Sequence, residues 1–355
     1  MNPAHRVGVA GAALMAAAVG AAAGLAAERM VVGRPLRRGE TPGGRLGLGQ
    51  LRGDAQIVPM DDGVELHVET DEPHASAPWR DLTVVFVHGY ALNQDCYHYQ
   101  RLAMRGSARL VFYDQRSHGR SGHGSPESAT MKQLAADLNR VLDEVAPSGP
   151  VVLVGHSMGG MTILELASRA PELFGDRVRG VALLSTSAGD MSDVTLGLPA
   201  FAARGLRYLA PTVMQLGRRT TQLLERSRQF SSDLAVMVTK VYAFSDDVPV
   251  ELVDFSLEMI NATPIDVLTE FYPALSDHDA FGALDVLNGT ETLVLVGAQD
   301  LLTPAEHSRQ LVKGIPGAEL EILDPGGHLV MLERPDDVNS HLIDLLERVA
   351  RGLPE

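Results

Sequence analysis

The amino-acid sequence predicts an α/β fold built on a mostly parallel sheet. Three observations lead there. Short apolar runs of strand length recur along the chain, helical stretches alternate with them, and the runs are apolar at nearly every position. Strands buried on both faces read this way, and strands separated by helices join through right-handed crossovers into a parallel sheet.

The chain opens with a different kind of segment. Residues 7–27 are 21 residues of Ala, Gly, Val, Leu and Met without a charge, close to the roughly 20 that cross a bilayer as a helix. Segment 1–28 is therefore expected to anchor the protein in a membrane. The alternative is a signal peptide cleaved before Ala27, behind the small residues Gly24 and Ala26, with export of the mature chain. Arg29, Arg34, Arg37 and Arg38 follow, and positive charge resists translocation, which favours the anchor. Residues 29–55 hold Arg, Gly and Pro without periodicity, as a flexible basic linker would.

From Ile57 the pattern changes. Residues 64–69 alternate apolar and polar after an Asp61-Asp62-Gly63 turn, the signature of a strand with one covered face. Apolar runs follow at 82–87, 110–113, 151–154, 178–184, 293–296 and, more weakly, 320–323. Helical stretches are expected at 129–145, 158–170, 304–313 and 335–349. Residues 191–277 break the alternation: they show no strand, and amphipathic stretches at 198–209, 220–226, 233–244 and 250–260 are punctuated by Pro199, Pro211, Pro249, Pro264 and Pro273. Such a block between two strands reads as an inserted all-helical cap, dividing the core into 56–190 and 278–355.

Composition narrows the function. The chain has 355 residues, 45% of them hydrophobic and 21% charged, enough for a large globular core. The net charge is −15, yet residues 1–56 carry +4, leaving −19 on the body. An acidic body repels phosphates, so no nucleic-acid partner is expected. A single cysteine, Cys96, excludes an intramolecular disulfide and a zinc site of several cysteines; it reads as a plain helix residue. No His-Glu-x-x-His, clustered metal-ligand spacing or phosphate-binding loop occurs, so no metal or cofactor is expected.

The chemistry concentrates at strand ends. Gly155-His156-Ser157-Met158-Gly159, followed by Gly160, fits Gly-x-Ser-x-Gly. The pattern alone is weak, but an apolar strand run precedes it and a helix follows, the context the motif demands. So tight a turn needs small flanking residues and lifts the Ser157 hydroxyl to the helix N-terminus, beyond the carboxyl end of its strand. A serine hydroxyl needs a base, and the base an orienting acid. Asp300 lies on the loop after the run at 293–296, and His328 on a glycine-rich loop after the last strand. Asp300 could instead cap the helix ahead of Pro304, and Asp190 is a rival orienting acid. His156 is read as packing behind the nucleophile, and His67, His74, His278, His307 and His341 as surface histidines. Negative charge on the transition-state oxygen calls for aimed backbone donors; the amide of Met158 supplies one, and Tyr90, after Val87-His88-Gly89, the other. The Tyr90 ring would also wall the substrate pocket.

These residues together resemble the capped α/β-hydrolase superfamily. The resemblance runs from His88-Gly89 through Asp114-Gln-Arg116-Ser-His118-Gly119-Arg-Ser121, Gly155 to Gly160, and Asp300 to Gly327-His328, covering residues 57–350. It implies an eight-stranded sheet and a Ser157-His328-Asp300 triad. Serine at the nucleophile position separates the chain from haloalkane dehalogenase and epoxide hydrolase relatives, which use Asp there. Ser117 stands where the family usually has Gly, a change expected to reshape that turn.

The expected activity is acyl transfer through an acyl-enzyme on a small-molecule carboxylic ester with an apolar portion. With an anchor near a membrane, that portion would be lipid-like. Leu257, Met259, Phe255 and Phe271 of the cap are candidates to line the pocket. Thioesterase, C–C-bond hydrolase and cofactor-free perhydrolase chemistry compete on the same triad. From another class, a ligand-binding sensor with slow turnover competes as well.

Overall fold

The computed structural model describes residues 47–191, 239–245 and 248–353. Strand β1 (Asp54–Pro59) pairs antiparallel with β2 (Glu65–Asp71), and β2 antiparallel with β4 (Ala108–Tyr113). The remaining strands run parallel: β3 (Trp79–Val87), β5 (Val151–His156), β6 (Val178–Leu184), β7 (Glu291–Gly297) and β8 (Glu319–Leu323). They form one 8-stranded sheet in the order β1-β2-β4-β3-β5-β6-β7-β8. The strand order turns back at β3, which has β4 on one side and β5 on the other. In open sheets of this kind ligands bind beyond the strand ends at such a switch point.

Period-two alternation explains why both faces are apolar. In β3, Val84 and Phe86 join the core on one face, while Val85 and Val87 join the core on the other. The first face is covered by α1 (His98–Met104) and by the C-terminal helices α7 (Val330–Glu333) and α8 (Pro335–Arg351). The second is covered by α2 (Met131–Val145), α3 (Met158–Arg169) and α6 (Ala305–Gly314). Thr130 caps α2 by accepting the amide of Gln133, which starts this helix two residues after the expected position 129.

Between β6 and β7, residues 239–243 are helical and are followed by α4 (Val250–Ala262) and α5 (Ile265–Ser276). The stretches expected at 198–209 and 220–226, and the first half of 233–244, lie outside the described residues. So does the linker up to residue 46. Its end is held down: the amide of Gly53 donates to Glu69, Arg101 donates to the Leu51 carbonyl, and Arg52 pairs with Asp95 at 2.8 Å.

The membrane anchor expected at 1–28 is corrected. No helix among the described residues is long and apolar enough to cross a membrane, and residues 7–27 lie outside them. The expectation rested on length and absence of charge, whereas the run is mostly Ala and Gly, residues whose transfer into hydrocarbon gains little. No membrane partner is assigned, and the lipid-like substrate that depended on it is dropped.

Candidate active site

Ser157 stands between β5 and α3, as the N-cap of the helix, with φ 52° and ψ −117°. A non-glycine residue at positive φ is strained by about 1–3 kcal/mol, and the surroundings must hold it there. They do so from the next strand. The Ser157 amide donates to the Leu184 carbonyl at 3.0 Å, and the Thr186 hydroxyl donates to the Ser157 carbonyl at 2.7 Å. The glycines make the tight approach possible: a β-carbon on Gly159 would collide with the Val87 carbonyl, and one on Gly89 would stand 2.7 Å from His156 Nδ1 and 3.3 Å from Ser157 Cβ.

The loops that carry the other candidates leave neighbouring strands at the same sheet edge. Val87 pairs with Gly155, so Tyr90 and Ser157 emerge side by side. The Met158 amide, first in α3, has no acceptor within its own helix. Gly297 pairs with Leu323, and Asp300 and His328 follow a few residues beyond. His328 Nδ1 stands 2.9 Å from Asp300 Oδ2, with both side chains buried. Asp300 Oδ1 accepts the amides of Leu302 at 2.9 Å and Thr303 at 2.8 Å. The Thr303 hydroxyl donates to Oδ2 at 2.8 Å and lies 3.4 Å from His328 Nδ1. Burial would raise the Asp300 carboxyl, but the His328 ring and the Thr303 donors outweigh it and hold the acid below its ordinary value. The two contacts that compete on sequence therefore coexist, the helix-capping amides on one oxygen and the His328 ring on the other. Asp190, the rival acid, faces Gln310 Nε2 at 3.4 Å instead.

Three groups that sequence reading missed brace the His328 loop. Gln299 accepts the Gly326 amide and donates to Asp324, both at 2.8 Å. Glu333 accepts the Gly327 amide at 2.7 Å and the Ser245 amide at 3.0 Å, tying the loop to residues 239–245. Thr303 is the third, and its place three residues after an acid was the only signal available. His156, read as packing, makes a directed contact: its Nε2 donates to the His328 carbonyl at 2.9 Å, with ring centroids 4.9 Å apart. Burial, reinforced by the neighbouring His328, lowers His156 to about 3, so it stays neutral and the contact survives at any working pH.

The Asp114–Ser121 turn is built around buried charge. The Asp114 carboxylate accepts the amides of Gln94 and Arg120, and Arg116, fully buried, pairs with Asp137 and Asp62. Ser117 takes φ 64°, in the left-handed region that favours glycine, and its hydroxyl accepts the Gly124 amide at 3.0 Å. The departure from the family pattern is thus met by a compensating hydrogen bond.

Beside the elbow lies a small apolar cluster of Met131, Leu134, Met158, Met161, Val267 and Phe271, with Tyr90 packed against it. The Tyr90 phenol donates to the Leu268 carbonyl on α5, and burial pushes its pKa up. Of the four expected lining residues only Phe271 reaches this cluster; Phe255, Met259 and Leu257 pack in the core on the other side. His278 and His307, expected at the surface, are buried, and His307 Nδ1 meets the Ser187 hydroxyl at 2.8 Å. Cys96 is buried in a short turn of 3-10 helix at Gln94–Tyr97. The one grouping among the described residues with metal-ligand spacing is Glu319, Glu321 and His341, on β8 and α8; Arg348 already pairs with Glu319 there at 2.8 Å.

Comparison with known proteins bears on the fold and the family. The model of the alpha/beta hydrolase family matches residues 84–341. A dihydrolipoyllysine-residue acetyltransferase component of the acetoin cleaving system from Cupriavidus necator is 28% identical over 271 residues, 73% of this chain and 62% of that protein. The chain thus spans about three-fifths of that relative's length. A protein named as a carbamate hydrolase in Agrobacterium fabrum is 26% identical over 291 residues, 79% of this chain and 97% of its own. Among solved structures, a thermophilic esterase from Thermogutta terrifontis superposes with a TM-score of 0.65 at 23% identity, covering 84% of this chain and 99% of the esterase. The chain belongs to the alpha/beta hydrolase family.

Proposed function

We propose, with membership of that family as the premise, that the protein is a serine hydrolase acting on a small carboxylic ester with an apolar portion. Ser157 is the nucleophile, His328 the base and Asp300 the acid that orients it. The observation that carries this reading is the buried pair of His328 Nδ1 and Asp300 Oδ2 at 2.9 Å. With Nδ1 engaged, Nε2 is the nitrogen left to take a proton.

In the first half-reaction Ser157 Oγ attacks the ester carbonyl carbon and its proton passes to His328 Nε2. Asp300 stabilises the imidazolium without being protonated itself. Negative charge on the carbonyl oxygen falls to the amides of Tyr90 and Met158, donors fixed before the reaction begins. Collapse expels the alcohol, which leaves with the proton from Nε2. Water, activated by the same nitrogen, then frees the acid and restores Ser157. The apolar cluster around Phe271 and Met158 supports an apolar substrate portion.

The test is turnover of p-nitrophenyl esters from acetate to palmitate by the full chain, with Ser157→Ala beside it. Turnover lost in the variant is the expected result. Turnover that persists in Ser157→Ala refutes the assignment. A single slow acylation, with fluorophosphonate labelling of Ser157 but no repeated turnover, would favour a ligand-binding sensor.

A further inference from the structure

We infer that Thr303 is a positioning residue for the acid–base pair, its hydroxyl sharing the Asp300 oxygen that faces His328 and thereby limiting how tightly the carboxylate holds the imidazolium. The inference rests on the triad reading above.

The argument begins with the number of donors. A carboxylate offers about four lone-pair sites, and Asp300 fills two on each oxygen: the amides of Leu302 and Thr303 on Oδ1, the Thr303 hydroxyl and His328 Nδ1 on Oδ2. Those two amides already fix the carboxylate and the turn that bears it. The hydroxyl adds nothing the backbone needs, yet it is buried, 1% exposed, and directed at the oxygen that meets the base. Each donor on a carboxylate stabilises its negative charge and lowers its basicity. A second donor on Oδ2 therefore weakens the hold of Asp300 on a protonated His328. The base then returns its proton to the leaving alcohol more readily and is free to act again at a lower pH.

Three neighbouring groups face the pair from other elements. His156, from the end of β5, is neutral and donates to the His328 carbonyl. His307, on α6, is engaged with Ser187. Glu333, on α7, accepts from Gly327 and Ser245. The Thr303 hydroxyl itself meets Asp300 Oδ2 and His328 Nδ1.

Thr303→Val removes the hydroxyl while keeping the shape of the side chain and both backbone amides. The measurement is kcat/KM on the best ester between pH 4.5 and 9, for the full chain and for the Val and Ser variants. Loss of one carboxylate donor should move the acid limb of the Val variant up by about half to one pH unit and lower its plateau about three- to tenfold. Thr303→Ser, which restores the donor, should return the limb toward the wild-type position. The downfield Nδ1 proton resonance of His328 should shift in the Val variant and recover in the Ser variant, a readout independent of turnover. A Val variant with wild-type limb, plateau and resonance, while Asp300→Asn is crippled, would overturn the role of Thr303 alone. If Asp300→Asn stays active, the triad reading fails and this inference falls with it.

Discussion

Replacing Asp300 with Asn tests the site most severely, because the hydrogen bonds dictate which way the amide must turn. Oδ1 now receives two main-chain N–H groups, from Leu302 at 2.9 Å and Thr303 at 2.8 Å. An amide NH2 placed there would set donors against donors, so the Asn carbonyl takes that side and the NH2 takes the place of Oδ2. There it faces the Thr303 hydroxyl, which can rotate to accept, and His328 Nδ1 at 2.9 Å, which must also accept. The imidazole proton is driven to Nε2, the nitrogen that has to receive the proton of Ser157. The variant thus holds its base in the wrong tautomer and also loses the charge that stabilises the imidazolium. Such a change costs about 10,000-fold in rate, equivalent to about 5.5 kcal/mol of activation free energy. The assay is kcat/KM on the best p-nitrophenyl ester, with thermal unfolding to show that the fold survives and Asp190→Asn as a control. A loss of less than about tenfold in a folded Asp300→Asn variant would refute the reasoning, and a collapse in Asp190→Asn would move the orienting role there.

Activity of the wild-type chain should be lost in acid, because a protonated base cannot accept the serine proton; a profile that stays flat across the acid range in which the chain is folded would remove His328 from that role. Stability should also fall on acidification. His88, His118 and His156 are buried, and burial lowers them to about 4, 3 and 3. The folded chain therefore binds fewer protons than the unfolded one below the unfolded value of about 6.5, and stability present above that pH is lost as pH falls toward the folded values, by up to about 4 kcal/mol per pH unit near pH 5 if all three contribute. Melting temperatures that do not change from pH 7.5 to 4.5 would sink this account. Gly159→Ala should cost about 3 kcal/mol or more, since its β-carbon meets backbone of Val87 and His88 that has no room to give; unfolding in denaturant checks it, and a wild-type midpoint would contradict the elbow geometry. Glu333→Ala strips the acceptor from the Gly327 and Ser245 amides, and should lower stability by about 1–3 kcal/mol and reduce kcat more than it changes KM.

Much of the fold was legible because apolar periodicity is a local property. The runs at 82–87, 110–113, 151–154, 178–184 and 293–296 all fall inside strands of the sheet, since a strand covered on both faces must be apolar almost throughout, and the weaker run at 320–323 falls in the half-buried edge strand β8. The elbow was legible for a similar reason: its glycines answer to backbone geometry within a few residues. Other elements escaped, α1 and β1 among them. Helix α1 was hidden because its buried face carries His98, Gln100 and Arg101, and Arg101 is paid for by Glu69 and Asp71, both far away in sequence. Strand β1, which straddles the end of the stretch read as linker, was hidden because its pattern is almost wholly exposed.

By itself the sequence determined the α/β class, the strand–turn–helix around Ser157, and the loops on which Asp300 and His328 stand. The tertiary structure decided everything that depends on which loop meets which. It put the Asp300 carboxylate, not that of Asp190, at His328, divided its oxygens between a turn and the His328 ring, and brought Thr303, Gln299, Glu333 and His156 to the same loop. It also sent Phe271 toward the elbow and Phe255 away from it. The physical reason is that periodicity reports whether a side chain is buried, while its partner is chosen by the crossovers that return the chain to the sheet. His156 and His328, 172 residues apart, become neighbours only through that topology.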